Sequence, residues 1–349
     1  MRYIPERSVN GGSLAGNTYV STFAKCPRQW FNNWYRPTEV EGVTLRGIKL
    51  PHTSRHLLLG SEVHEGLRGY YLSGCRDGED TGEYSLTEAL RFAWDCHEKN
   101  KAQYAETAVS QECWRTAAHM LTHYAEVFGP SGNMPDYPGL KVVCDEDGEP
   151  LVEKELRAEL GGGYIFTVKA DVVVEHRGYL KVMEHKTSHP RYVTSRISSA
   201  NWDSQMTGEC WVPSTLWPER KFSGVLMNVL PKRDKLPKTT SILGALRETA
   251  TRTPAELARF QTTTRTVLEQ IDSAVEGFEY SRSLGLSVER SADVAFPDLG
   301  TRTGECFSYN SPCEFFDLCK LAGREEAILK RYQPRATEEV EEMKKWTGG

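Results

Sequence analysis

The segment FTVKADVVVEHRGYLKVMEHKTSHP, Phe166 to Pro190, constrains this chain more than any other, because it reads as strand, turn and strand in a countable register. With Arg177-Gly178 as a two-residue turn, His176 faces Tyr179, and stepping outward sets Asp171 opposite Glu184 on one face. Directly opposed residues have Cβ atoms about 4.5–5.5 Å apart, close enough for two carboxylates to hold one hard divalent cation. Lys186, two residues beyond Glu184, points the same way. Without a cation or a shared proton the two acids repel. The other reading is a hairpin whose acids and lysine are merely solvated, since the spacing Asp-x12-Glu-x-Lys is common.

At 349 residues the chain is long enough for one large domain with insertions or for two ordinary ones. Its net charge of −5 argues against holding nucleic acid by bulk charge, so such binding needs a local basic or metal-neutralised cleft. No apolar run reaches the roughly 20 residues of a membrane span, and MRYIPERSVNGG lacks the apolar stretch of a signal peptide. The expectation is an intracellular protein. Nine cysteines do not suit a disulfide framework, and metal binding is the natural use for any that gather.

Along the chain, a flexible Gly-rich lead-in precedes a first helix expected from Ser21, in STFAKCPRQWFNNWY. Residues 36–56 read as loop, and LLLGSEVHEGLRGYYLSG as a second helix. Two amphipathic helices, near 86–107 and 110–128, make 76–128 a helical insertion. Val142 to Glu184 alternates as strands broken at GEP, GGG and HRG, WDSQMTGECWVPSTLW returns to helix, KFSGVLMNVL suits a buried strand, and 254–284 a long helix. LPKRDKLPK, Leu230 to Lys238, is a basic loop open to backbone contact or to mere solvation.

The stretch KADVVVEHRGYLKVMEHKT resembles the Asp…(Asp/Glu)-x-Lys core of the PD-(D/E)XK nucleases, in particular the RecB-like branch, where the lysine is followed by Thr. GSEVHEGL is similar to that branch's Gly-x-x-x-His helix, and DSQMTGECW resembles its Gln-x-x-x-Tyr motif. Gln205 matches; Glu209 stands where the tyrosine is expected. The resemblance implies an α/β, restriction-endonuclease-like mixed sheet flanked by helices. It implies catalytic roles for Asp171, Glu184, Lys186 and Gln205, and Mg²⁺ or Mn²⁺ held by His64, Asp171, Glu184 and the main-chain carbonyl of His185. Taken singly, His64 and Gln205 read equally as an ordinary helix histidine and a surface amide. Their order along the chain is what carries the likeness.

The tail CFSYNSPCEFFDLCKLAG gives Cys306-x6-Cys313-x5-Cys319, three thiols that suit zinc or an iron–sulfur cluster if a fourth joins them. FAKCPRQWF resembles the Cys-Pro-Arg segment of the iron–sulfur RecB-like nucleases, a group including AddB and CRISPR-associated exonucleases, in which one N-terminal cysteine joins three near the C-terminus around a [4Fe–4S] cluster. That implies Cys26, Cys306, Cys313 and Cys319 as ligands, although the first tail gap is six residues where the family commonly has two. Cys75, Cys96, Cys113, Cys144 and Cys210 are expected as small residues on apolar faces. Arg28, Trp30, Trp34, Tyr35 and Arg36 suit either a single-strand path or core packing.

These readings converge on one RecB-like nuclease domain over 1–349, a metal-dependent exonuclease acting on single-stranded or end-processed DNA, with a possible helicase or recombination partner and no membrane. Its rivals are a DNA-binding or partner-binding protein that kept its cysteine site but lost catalysis, and a zinc-stabilised scaffold.

Overall fold

Arg177 and Gly178 both take positive φ, 53° and 78°, the pair of left-handed residues that a type I′ turn requires. The ladder behind them runs antiparallel from His176↔Tyr179 to Val172↔Met183, the register counted from the turn. The computed structural model describes residues 15–40, 42–51, 54–104, 106–129, 139–232, 246–321 and 324–334. Within these the chain forms two compact units, one of Met1–Pro51, Glu159–Phe166 and Gln261–Gly349, the other of His52–Ala158 and Thr167–Phe260.

The second unit holds the sheet. Its strands are β1 (Lys141–Val142), β2 (Val152–Gly161), β3 (Tyr164–His176), β4 (Tyr179–Ser188), β5 (Phe222–Pro231) and β6 (Leu246–Ala250), with residues 159–166 assigned to the other unit. They lie in the order β6-β5-β4-β3-β1, with β2 also paired to β3. β5 runs parallel to β4, so residues 189–221 must cross over between them, and they carry the helices α4 (Val193–Ser199) and α5 (Ser204–Leu216). Before the sheet come α1 (Arg55–Ser73), α2 (Leu86–Asn100) and α3 (Thr107–Phe128).

Helices α1 to α3 cover one sheet face. Val63, Leu67 and Tyr71 of α1, Ala93 of α2 and Leu121 of α3 share a core with Val172, Val174, Met183 and Leu226. Glycines set the spacing. A Cβ at Gly66 would come within 2.4 Å of Leu121, and one at Gly69 within 2.6 Å of Phe92, so larger residues there would force the helices apart. Helix α2 begins where Ser85 Oγ accepts from the Glu88 N–H at 3.3 Å. The stretch expected as an insertion thus supplies two of the three helices against the sheet.

In the first unit the opening helix starts at Asn17, earlier than expected, and breaks at Cys26, whose φ of −153° is extended. A turn at Pro27–Trp30 and a π-type turn at Phe31–Tyr35 follow. Trp30 and Phe31 are buried and stack on Phe296 at 5.6 and 4.9 Å between ring centroids. Tyr35 and Arg36 are buried too, Arg36 pairing with Glu289. Trp30, Phe31, Tyr35 and Arg36 therefore belong to the core, the packing alternative for this segment, whereas Arg28 and Trp34 are half-buried. Residues 36–56 are not all loop: Pro37–Val40 pairs with Val43–Arg46, and Ile48–Lys49 with Gln333–Pro334 near the other end of the described chain. Most of the basic loop, from 233, lies outside the described residues. Among the described residues no helix is long and apolar enough to cross a membrane.

Candidate metal centre and active site

Asp171 sits one residue beyond the last pair of the β3–β4 ladder, while β4 continues against β5 through Met227↔Glu184, Asn228↔His185 and Val229↔Lys186. Strand alternation turns Met183 and His185 toward helices α1 and α3, and Glu184 and Lys186 to the opposite face. The His185 ring stacks on Tyr71 with centroids 5.8 Å apart and meets the Asn228 amide at 3.0 Å. Its main-chain N–H donates to Asp171 Oδ2 at 2.7 Å. The backbone of β4 thus fixes the Asp171 carboxylate directly.

On the other side of that carboxylate, His64 of α1 places Nδ1 3.3 Å from Asp171 Oδ1 and 3.8 Å from Glu153 Oε1. Donor atoms of His64, Glu153 and Asp171 all lie within 4.8 Å of one another. Glu153 was not legible from the sequence. It is the second residue of β2 and has φ of 54°, a conformation that costs a non-glycine residue roughly 1–3 kcal/mol. Its other oxygen pairs with Lys169 Nζ at 2.6 Å.

Glu184 anchors a second chain of contacts. Its Oε1 accepts from Lys186 Nζ and, at 2.7 Å, from Gln205 Nε2. The Gln205 amide also donates to Glu209 Oε1 at 2.7 Å, and its oxygen accepts from Lys186 Nζ at 3.0 Å. Helix α5 delivers both residues, one turn apart, from a start capped by Asp203. Glu184 and Glu209 are each 2% exposed, and Oε2 of each is buried without a hydrogen-bond partner among the described residues.

Burial alone would lower the His64 pKa, yet the Asp171 and Glu153 carboxylates raise it to about 10. Burial would raise Asp171, but His64, then His185 and Lys186, hold it well below the usual carboxylate range. Burial, then the charge of Asp171, raises Glu184 to about 7 in spite of Lys186. Glu209 is raised well above its ordinary value by burial and then by Glu184. Lys186 is raised, because Glu184, Glu209 and Asp171 outweigh burial. Four acids thus face Lys169, Lys186 and His64. Hard oxygen donors, one imidazole and an unpaired buried carboxylate oxygen fit Mg²⁺ or Mn²⁺.

A family model described as the PD-(D/E)XK nuclease superfamily matches residues 17–320. The chain belongs to that superfamily. No curated protein gives a significant match. The mixed sheet with flanking helices is consistent with the restriction-endonuclease-like fold of the PD-(D/E)XK superfamily.

This PD-(D/E)XK protein brings His64, Asp171, Glu184, Lys186 and Gln205 to one place in its second unit, together with Glu153 and Glu209. The cysteines are elsewhere, in the first unit. Cys26, Cys306, Cys313 and Cys319 line one cavity with Gly300. A Cβ at Gly300 would stand 2.9 Å from Cys306 Sγ and 3.5 Å from Cys26 Sγ, so the glycine keeps the space between these thiols open. The Cys313 N–H donates to the Cys306 carbonyl at 2.8 Å. Burial pushes the Cys313 thiol up to about 11 and Cys319 to about 12, with neighbouring cysteines adding to both. Among the described residues no three of the four sulfurs lie within 4.8 Å of one another. Of the other cysteines, Cys113 and Cys210 are buried as expected, whereas Cys75, Cys96 and Cys144 are only half-buried.

Proposed function

We propose that this superfamily member is a Mg²⁺- or Mn²⁺-dependent deoxyribonuclease that degrades single-stranded or end-processed DNA from its ends and carries a structural [4Fe–4S] cluster. One observation carries the catalytic reading: Asp171, its carboxylate held by the His185 N–H, lies beside the strand end that bears Glu184, whose Oε2 is buried and unpaired beside a lysine clamped by Gln205.

His64, Asp171, Glu184 and the His185 carbonyl, joined by Glu153, are the groups that would hold the cation. Bound there, it would polarise a phosphoryl oxygen and lower the pKa of a bound water. The rest falls to the chain's own groups. Lys186, charged and held by the Gln205 oxygen, presents N–H donors to the attacking water and to the charge that develops on the phosphoryl oxygens. Gln205 gives its amide N–H to Glu184 and Glu209, which fixes which end of the amide meets the lysine. Water adds to phosphorus, the bond to the leaving sugar oxygen breaks, and that oxygen takes up a proton.

Four thiols on one cavity suit a metal site, and the likeness of FAKCPRQWF to the iron–sulfur nucleases favours a cluster over a single zinc ion. A reducing intracellular setting suits such thiols, and a helicase or recombination partner would supply the ends.

The test uses full-length protein, prepared anaerobically, on 5′- and 3′-labelled single and double strands and on circular DNA. Cleavage of linear substrates from one end with Mn²⁺ and none with chelator is the expected result. A folded, iron-loaded protein that cleaves nothing overturns the reading. Equal cleavage of circles overturns its exonuclease part.

A further inference from the structure

Trp202 is 87% exposed and Tyr192 63%, although both lie in the crossover that joins Lys186 to Gln205. A single exposed aromatic is ordinary, and what marks these two is that both stand on one short crossover that also carries two arginines. Neither residue sits on a slack loop. Val193 and Ile197 bury one side of α4, and the Trp202 N–H donates to the Ser199 carbonyl at 2.9 Å. Arg252 clamps the carbonyls of Ala200 and Asp203, on either side of Trp202, at 2.8 and 3.1 Å. The backbone is fixed while the rings face solvent.

Along the crossover, up to Asp203, the charge has one sign. From His189 to Trp202 the chain carries Arg191 and Arg196 and no acid. Among the described residues no carboxylate pairs with either arginine. Asp203, the next residue, spends its carboxylate on the Gln205 N–H at 2.8 Å. Positive charge extends beyond the crossover: Lys232 Nζ donates to the His56 carbonyl at 3.2 Å. Arg55, next to His56, is paired with Glu112 at 3.8 Å.

We propose that Tyr192 and Trp202 form a base-stacking platform, flanked by Arg191 and Arg196, which receives single-stranded DNA on its way to Lys186. Exposed π-faces with unpaired cations are what an unpaired strand recognises, since every base has a face to stack and every nucleotide a phosphate. A duplex keeps its bases stacked on each other and gains only the phosphate contacts. The proposal rests on the nuclease reading for its site, yet its test does not need catalysis.

The test measures binding of fluorescein-labelled dT15 and of an abasic strand of equal length and charge to the full chain in chelator, where nothing is cleaved. Wild type should prefer dT15. Trp202→Ala and Tyr192→Ala should each weaken dT15 about tenfold and leave the abasic strand nearly unchanged, while Trp202→Phe keeps most of the preference. Trp94→Ala, which removes another exposed tryptophan, should change neither. Trp202 faces water and Tyr192 is largely exposed, its ring 5.8 Å from that of His189, so melting temperatures should hold. Base-dependent binding lost in these variants would support the platform even in a chain that cleaves nothing. Equal binding of dT15 by wild type and the double variant, or equal losses for dT15 and the abasic strand, would overturn it whether or not the protein is a nuclease.

Discussion

Lys186→Ala removes the one cation that contacts both Glu184 and Gln205, and its effects on rate, metal binding and stability should separate. A positioned donor or charge in a water-excluded site contributes roughly 10²–10³ in kcat, and Lys186 also holds the Gln205 amide at 3.0 Å, so hydrolysis should fall by at least about 10²-fold. Mn²⁺ affinity should hold or improve, because a positive charge leaves a site still lined by Glu153, Asp171 and Glu184. In chelator, breaking a buried pair costs about 3–5 kcal/mol when the partner stays charged. Glu184, with a pKa already raised to about 7 and pushed further up without its lysine, escapes that cost by taking a proton. The loss of melting temperature should therefore be larger at pH 8 than at pH 6. Labelled-DNA hydrolysis, Mn²⁺ titration calorimetry and melts at the two pH values read the three quantities. Cleavage within tenfold of wild type, or loss of Mn²⁺ binding along with rate, would refute the reasoning.

Other outcomes follow from neighbouring groups. Glu153→Gln should weaken Mn²⁺ affinity more than it lowers the rate at saturating Mn²⁺, and an unchanged titration would return Glu153 to a salt bridge with Lys169. In chelator, His64 with its pKa raised to about 10 contributes stability that is fully present below about 6.5 and lost as pH rises through 10. Melting temperature should fall over that window in wild type and stay flatter in His64→Ala; equal slopes would contradict the contact geometry. Cys26→Ala and Cys319→Ala should each abolish the brown colour, with the double variant costing little more stability than either, because both break one shared unit. Full iron content in the Cys26 variant would sink the four-cysteine assignment.

The register of β3 and β4 was legible because a two-residue turn fixes pairing, and the ladder follows the count from His176↔Tyr179 to Val172↔Met183, stopping one residue short of Asp171 and Glu184. His64 and Gln205 became legible only by their order along the chain, since a helical histidine or glutamine has no local signature. Glu153 was invisible for a physical reason. It lies at the head of an ordinary alternating strand, and what singles it out is a left-handed φ that no residue type announced. The aromatic run Trp30 to Tyr35 left core packing and a strand path open, because burial against Phe296 and Phe278 is decided by partners more than 200 residues away. Trp202, flanked by nothing distinctive, gave no cue to its exposure.

Glu209 is where the sequence departs from the superfamily motif, and the structure gives that departure a chemical sense. A tyrosine hydroxyl at this position would offer the Gln205 amide an uncharged oxygen. Glu209 offers Oε1 at 2.7 Å from Gln205 Nε2, and burial followed by the nearby Glu184 charge drives its pKa up, so the carboxyl favours its neutral form. A neutral carboxyl then does for the amide what the hydroxyl would do. It also carries a second oxygen that is buried and, among the described residues, unpaired, as Glu184 does. Extra negative charge would become favourable at Glu209 only when more positive charge arrives nearby. Its ionisation is therefore tied to what occupies the metal centre, a coupling a tyrosine in that place would not have near neutral pH.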